Sequence, residues 1–211
     1  YGTLVLNATT GAYTYTLDNS ATATNSLAAG GSETETFSVK VSDGTNTTAA
    51  QNLSFTINGA NDAPSSIALD STSVVENSAG AIVGALSGSD AEGTSVTYSV
   101  VDSGDGTLFE IDGSNNLKLK TASADYETKP SYNLTVNASD GDLQTSTVFT
   151  VSVSDVNEAP TWDDNVATIV VEEDDNLSYD LSKISSDDDG DVLIYELIET
   201  PDWVTLSKGV L

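Results

Sequence analysis

The chain has 211 residues, 33 acidic against 6 basic, which gives a formal net charge of −27 at pH 7. This charge excludes nucleic acid and anionic membranes as partners, because each phosphate contact would begin from repulsion. The sequence contains no His, Cys or Arg, which excludes serine-histidine triads, thiolate nucleophiles, arginine clamps and disulfide bonds.

Alternating apolar and polar residues recur along the chain, the pattern of half-buried antiparallel strands, which argues against a disordered acidic chain. After a strand pattern over residues 1–6, the apolar positions are Phe37, Val39 and Val41, then Leu53, Phe55 and Ile57, then Leu134 and Val136, then Phe149, Val151 and Val153. Helical periodicity is nearly absent, with at most one helical turn expected over residues 26–29. No apolar run approaches 18 residues, so no membrane insertion is expected. We predict an all-β chain of tandem β-sandwich domains in a linear array.

Three landmarks repeat at offsets of 96 to 97 residues, which predicts a tandem array. They are Ser-Asp-Gly at 42–44 and 139–141, Val-Glu at 75–76 and 171–172, and an acidic segment that ends in Gly at 90–93 and 187–190. One such period matches one sandwich of about seven strands. The predicted domains are 1–62, which lacks its N-terminal strands, 63–158, which is complete, and 159–211, which lacks its C-terminal part.

The two incomplete domains leave two explanations open. The sequence is an excerpt of a longer array, or neighbouring copies complete each other by donating strands to open sheet edges.

Acidic residues gather where one predicted domain meets the next, and a hard divalent cation with six to eight oxygen ligands explains this clustering. The predicted ligands at the second linker are Glu76, Asp125, Glu127, Asp155, Asn157, Glu158, Asp187, Asp189 and Asp191. Those at the first linker are Asn61, Asp62, Asp90, Glu92 and Asp140. The lack of His and Cys disfavours transition metals, so Ca²⁺ is the expected ion. Isolated acids such as Asp105 and Glu196 are expected to be solvated.

The two linkers are expected to differ in calcium binding. Gly59 stands in the first linker where Asp155 stands in the second. The first junction should therefore bind fewer ions, or bind them more weakly.

Residues 63–160 resemble a cadherin-type repeat, through Glu76, Asp90-Ala91-Glu92, Asp125-Tyr126-Glu127, Ser139-Asp140-Gly141 and Asp155-Val156-Asn157-Glu158 in that order. Two positions depart from the family pattern: Glu92 replaces the second Asp, and Glu158-Ala159 replaces Asp-Asn. The resemblance implies Ig-like/cadherin-like sandwiches with calcium at their junctions.

The flanking segments carry two further resemblances. Residues 1–64 resemble the C-terminal part of a VCBS repeat, through Tyr1-Gly2-Thr3-Leu4, Tyr13 to Asn19 and Gly59 to Pro64. Residues 161–211 resemble the start of a dystroglycan-type cadherin-like Ig domain, through Asp187 to Asp191 and Pro201 to Val204. Together these modules imply an extracellular RTX-type bacterial adhesin, exported by type I secretion and active in cell adhesion and biofilm formation.

Two functional hypotheses follow. In the first, calcium makes the array a stiff extender, whose partners are neighbouring repeats of the same chain and homotypic or strand-donating copies. In the second, one domain is a calcium-dependent module that binds a glycan, a peptide or a cell-surface receptor. Trp162 and Trp203 could stack on a sugar, although packing is the expected role of both. Carboxylate pairs permit a glycosidase by residue type, but they lie at the linkers, and we expect no enzyme.

Overall fold

The structure is a computed structural model that describes residues 1–163, 170–196 and 198. Its contacts divide the chain into two compact units, Tyr1–Ser154 and Asp155–Leu211. Strands dominate the described residues, and the only α-helix among them has four residues, so the predicted all-β class is confirmed. No helix in the described part of the chain has the length and apolar character needed to cross a membrane.

The first unit begins with two antiparallel hairpins. Strand β1 (Gly2–Leu6) pairs with β2 (Tyr13–Leu17), and β3 (Ser32–Val39) pairs with β4 (Gln51–Asn58). The single-turn helix α1 (Thr22–Asn25) lies between the hairpins, just before the stretch where one turn was expected.

Aromatic side chains join the two hairpins. The Tyr15 ring stacks on Phe55 at a centroid distance of 4.5 Å, and Phe37 meets Phe55 edge-on at 5.9 Å. Ile57 is buried on the same face of β4, as the alternation predicts. The prediction for Val41 was wrong: it lies beyond β3 and is 72% exposed. The chain has already left the sheet there and enters a turn whose amides bind the Asp43 carboxylate.

Eight further strands of the first unit form two four-stranded sheets. The strands are β5 (Ser65–Leu69), β6 (Ser73–Val75), β7 (Ile82–Ser89), β8 (Thr97–Val100), β9 (Phe109–Ile111), β10 (Asn116–Leu119), β11 (Ser131–Ser139) and β12 (Gln144–Ser154). One sheet has the order β5-β7-β10-β9 and the other the order β6-β12-β11-β8. Only the β6–β12 pair is parallel among the pairs that the structure describes. A 3₁₀ helix (Gly104–Leu108) precedes β9.

The core lies between these two sheets. Its buried residues are Val74, Val83, Leu86, Phe109, Leu117, Leu119, Ala124, Tyr132, Leu134, Val136, Val151 and Val153. The alternation predicted for β11 and β12 is therefore confirmed. Phe109 meets Tyr132 edge-on at 5.5 Å across the core. This packing fixes the strand ends, and so the loops that carry the acidic residues.

The second unit contains one short antiparallel pair in its described part, β13 (Thr161–Trp162) with β14 (Ser185–Ser186). A 3₁₀ helix (Leu181–Lys183) is capped by Asp180, which accepts a hydrogen bond from the Ser182 amide at 3.1 Å. Trp162 is 55% exposed beside Tyr195, with a centroid distance of 6.4 Å. Trp203 lies outside the described residues.

Candidate metal centres

Three predicted ligands of the central domain meet near the end of β12. One carboxylate oxygen each of Glu76, Asp125 and Glu127 lies within 4.8 Å of the other two. Glu76 is only 2% exposed, whereas Asp125 and Glu127 are exposed. Carboxylates held this close repel one another, and burial of one of them strengthens the repulsion.

Backbone geometry places Glu76 at this cluster. Its N–H donates to the Ser154 carbonyl at 3.2 Å, which extends the parallel β6–β12 pairing by one residue. Asn77 then adopts a left-handed conformation, with φ +59°, and donates its N–H to Ala124 at 3.0 Å. This conformation is one that Asn tolerates better than most residues. The Tyr126 amide finally donates to Glu76 Oε2 at 2.6 Å.

A compact turn holds Asp125. The Thr128 amide donates to Asp125 Oδ1 and the Thr128 hydroxyl to Oδ2, each at 2.8 Å. These hydrogen bonds lower the pKa of Asp125, since they stabilise its ionised form. The Lys129 amide closes the turn on the Asp125 carbonyl at 2.9 Å. The carboxylate is therefore both charged and fixed in direction.

The first linker contacts two loops of the central domain. The Asn61 side-chain amide donates to Asp140 Oδ2 at 2.8 Å, and the Asp62 N–H donates to Glu92 Oε2 at 3.4 Å. Asp90 Oδ2 and Glu92 Oε1 are buried carboxylate oxygens without a hydrogen-bond partner. Leaving such an oxygen unsatisfied is costly. Both atoms fit the hard oxygen ligands that a calcium ion requires.

Local turns orient two of these acids. Asp90 Oδ1 accepts from the amides of Glu92 at 3.2 Å and Thr94 at 3.1 Å. Asp140 Oδ1 accepts from the amides of Asp142 and Leu143, each at 2.7 Å. The Leu143 and Asp142 amides lower the pKa of Asp140. In both turns Oδ1 is bound to backbone amides, while Oδ2 accepts from Asn61 in Asp140 and has no hydrogen-bond donor in Asp90.

Gly59 explains why the first linker lacks a counterpart of Asp155. A Cβ atom at this position would lie 2.2 Å from the Leu27 carbonyl oxygen and 2.3 Å from that of Ala28. The Gly59 amide also donates to Gly31 at 2.9 Å, which keeps the strand end close to that loop. No side chain fits here, so the first junction cannot gain an acid at residue 59 without moving backbone.

The second unit repeats the turn geometry found at Asp90. Asp187 Oδ1 accepts from the Asp191 amide at 3.1 Å, as Asp90 Oδ1 does from Thr94. Gly190 has φ +74° where Gly93 has +77°. This is the same Asp-bound turn, one repeat later in the chain.

The linker contact is repeated as well. The Glu158 amide donates to Asp189 Oδ2 at 2.7 Å, which corresponds to the longer Asp62 contact with Glu92. Asn157 donates its side-chain amide to the Glu158 carbonyl at 2.7 Å. Asp155 directly follows β12 in the chain and is exposed. Its grouping with the ligands of the central domain stays a prediction from the sequence.

The expectation that Asp105 is merely solvated was wrong. Its carboxylate forms an ion pair with Lys129 and accepts from the Asn133 amide at 2.8 Å. The hydrogen bond from Lys129 is the main cause of a lowered pKa at Asp105. Asp105 and Lys129 are 24 residues apart, so no local pattern could have paired them. Glu196 is exposed, as expected.

Known proteins similar to this chain contain cadherin domains. Residues 70–154 match the family model described as Cadherin domain. Cadherin-4 of Caenorhabditis elegans is 32% identical over 111 residues, which cover 51% of this chain and 2% of that protein. Among solved structures, human protocadherin-24 EC1-2 is 26% identical with a TM-score of 0.42, covering 50% of each chain. The protocadherin GammaB4 extracellular domain is 21% identical with a TM-score of 0.49, covering 88% of this chain and 30% of that one.

The chain thus spans at most half the length of these relatives. The matched segment includes six of the predicted ligands: Glu76, Asp90, Glu92, Asp125, Glu127 and Asp140. Residues 70–154, in the central part of this all-β chain, are similar to a cadherin domain.

Proposed function

We propose that this chain is a calcium-rigidified extender segment of a bacterial cell-surface adhesin that supports cell adhesion and biofilm formation. Its three consecutive repeats are residues 1–62, 63–158 and 159–211. The cadherin-like character of the central repeat supports an extracellular, adhesion-related and non-enzymatic role. The bacterial RTX setting and type I secretion rest on the VCBS-like and Ig-like motifs of the flanking segments.

The carboxylate cluster of Glu76, Asp125 and Glu127 carries the proposal. One of its members is buried, and oxygens of all three lie within 4.8 Å of one another. In a chain of net charge −27 this arrangement is costly without a cation. Asp90 Oδ2 and Glu92 Oε1, which are buried and lack donors, supply the same argument at the first linker.

Calcium would supply the positive charge that lets these carboxylates stay close together. The fixed turns around Asp125 and Asp140 hold carboxylates ionised and oriented, so little reorganisation is needed on binding. Extracellular calcium modules bind with dissociation constants of about 10⁻⁴ to 10⁻³ M. The sites would therefore fill outside the cell, and folding and stiffening would be coupled to that step.

Calorimetric titration of calcium into chelator-treated chain tests the proposal. We expect saturable binding in the submillimolar to millimolar range, with weaker binding of magnesium. A variant that combines Glu76→Gln, Asp125→Asn and Glu127→Gln should lose at least one site. A matched variant with Asp102→Asn, Glu110→Gln and Asp142→Asn has the same charge change and should keep it. No calcium binding by the unmodified chain would contradict the proposal.

A second candidate is a calcium-dependent glycan- or peptide-binding module. The observation that favours it is the exposed Trp162 beside Tyr195, in a cavity of about 360 Å³ that Asp187 and Asp191 also line. Exposed aromatic rings next to polar groups suit a sugar ring. A glycan array probed with and without calcium separates the candidates, since an extender alone should give no calcium-dependent signal.

A further inference from the structure

An ion pair outside the ligand cluster connects the turn that carries Asp125 and Glu127 to the rest of the domain. Lys129, the last residue of the turn, reaches the Asp105 carboxylate on the 3₁₀ helix Gly104–Leu108. Asp105 also accepts from the Asn133 amide of β11 at 2.8 Å. The lysine thus connects the turn to a helix and a strand at once.

Lys129 is also held by an aromatic ring. Its ammonium lies 5.0 Å from the ring centroid of Tyr132, which is 5% exposed and packs against Phe109 in the core. Ammonium groups at this distance over a ring are attracted to it. The side chain is therefore anchored on rigid structure, although it is only partly buried.

The backbone on either side of the turn is also fixed, because the Asn77 amide donates to the Ala124 carbonyl at 3.0 Å and the Val153 amide donates to the Pro130 carbonyl at 2.9 Å. Hydrogen bonds of the turn itself include the Thr128 contacts to Asp125, the Lys129 amide to the Asp125 carbonyl, and the Tyr126 amide to Glu76. The first three lie inside the turn, and the fourth ends on a member of the cluster itself. The Lys129 side chain adds a link from this turn to an acid outside the ligand set.

We infer that Lys129 is a positioning residue for the calcium cluster, acting through Asp105 to hold the 125–128 turn in its ligand geometry. This inference rests on the proposed function. The expected effect of Lys129 on calcium affinity is opposite to the one that Coulomb's law alone gives, because a nearby lysine repels a cation. If positioning dominates, removal of the lysine weakens calcium binding although the chain becomes more negative.

The test compares Lys129→Gln with Lys118→Gln, which makes the same charge change in a lysine paired with Glu110 at 3.0 Å. Lys129→Gln should raise the calcium concentration for half-saturation by about three-fold, the size expected for a partly exposed ion pair. Lys118→Gln should leave it unchanged or lower it. Lys129→Arg keeps the charge and should restore wild-type affinity, and Asp105→Asn should weaken binding as Lys129→Gln does. Unchanged or tighter calcium binding by Lys129→Gln would overturn the inference.

Hydrogen exchange in calcium-free protein gives a readout that does not need the ion. In Lys129→Gln the Tyr126 and Thr128 amides should exchange about three-fold faster or more, while the Val136 amide of β11 reports an intact core. Equal exchange of the turn amides in Lys129→Gln and wild type would overturn the positioning role. Absence of calcium binding by the wild-type chain would instead contradict the proposed function, with the exchange result still deciding the role of Lys129.

Discussion

Gly59 and Glu76 show how single residues affect the number and the burial of the carboxylates at each acidic site. At residue 59 the carbonyls of Leu27 and Ala28 leave no room for a Cβ atom, so the first linker lacks an acid there. Glu76 is buried because the pairing of β6 with β12 draws its backbone into the sheet. The backbone thus leaves no room for a carboxylate at residue 59, and it places the Glu76 carboxylate close to two others.

Gly59→Ala should destabilise the first unit by about 1 to 3 kcal/mol, because the added carbon overlaps two backbone oxygens that cannot move independently. Denaturant unfolding in the presence of chelator measures this loss. Gly113→Ala is the matched control, since a Cβ there meets nothing within 4 Å. Equal midpoints for the two variants would show that the Leu27–Ala28 loop yields easily.

Glu76→Gln should have different effects on the melting temperature of the calcium-free protein and on its stabilisation by calcium. In chelated protein the melting temperature should stay the same or rise, since one of three mutually repelling charges is removed while Oε can still accept from Tyr126. With millimolar calcium the variant should lose at least half of the wild-type gain in melting temperature. Asp102→Asn, an exposed acid, should behave as wild type in both conditions. A full calcium gain in Glu76→Gln would remove it from the ligand set.

At the element scale, the same Ser-Asp-Gly turn recurs along the chain, and one copy carries the predicted ligand Asp140. The Ser-Asp-Gly turn at Asp43 binds the amides of Thr45 and Asn46, just as that at Asp140 binds those of Asp142 and Leu143. Both aspartates have a lowered pKa because of these amides. The repeat therefore preserves charged, oriented carboxylates as well as strands.

The lowered pKa values of Asp43 and Asp140 predict how the unfolding free energy depends on pH. A carboxyl whose pKa is lower in the folded than in the unfolded state stabilises the fold above its unfolded value of about 3.9. That contribution is lost as the pH falls through the folded pKa. In chelator, the unfolding free energy should therefore decline as the pH falls below about 4. The double variant Asp43→Asn, Asp140→Asn should decline less steeply, and an identical slope would contradict the assignment.

The two linkers should respond unequally to the loss of one carboxylate. Asp155→Asn removes a predicted ligand from the second linker, which has the larger predicted ligand set. Asp62→Asn removes one from the first linker, which has no acid at residue 59. We expect the first substitution to raise the calcium concentration for half-maximal thermal stabilisation several-fold more than the second. Equal shifts would mean that the linkers are not an unequal pair.

Strand positions were more predictable from the sequence than side-chain partners. The alternation at Phe149, Val151 and Val153 identified β12, because period two is a local property of a strand. Val41 was wrongly predicted to lie in a half-buried strand. It continues the apolar alternation, but the chain leaves the sheet there for the turn at Asp43. The pairing of Asp105 with Lys129 depends on how two loops pack, which no local pattern encodes.

At the scale of the whole molecule, the proposed function depends on the negative charge of the chain, its repeats and calcium. A chain of net charge −27 without cysteine lacks disulfides and repels itself. In the proposed function, the acidic clusters make the chain dependent on a cation that is abundant outside cells. Each repeat would then add length, and each calcium-occupied junction would add stiffness.

The most direct test of this account is small-angle X-ray scattering of the 211-residue chain in chelator and in millimolar calcium, with melting temperatures from the same samples. Calcium should give a longer, narrower particle with less flexibility, and a clearly higher melting temperature. Magnesium at the same concentration should reproduce little of either change. Identical scattering profiles and melting curves with and without calcium would contradict the claim that calcium stiffens the array.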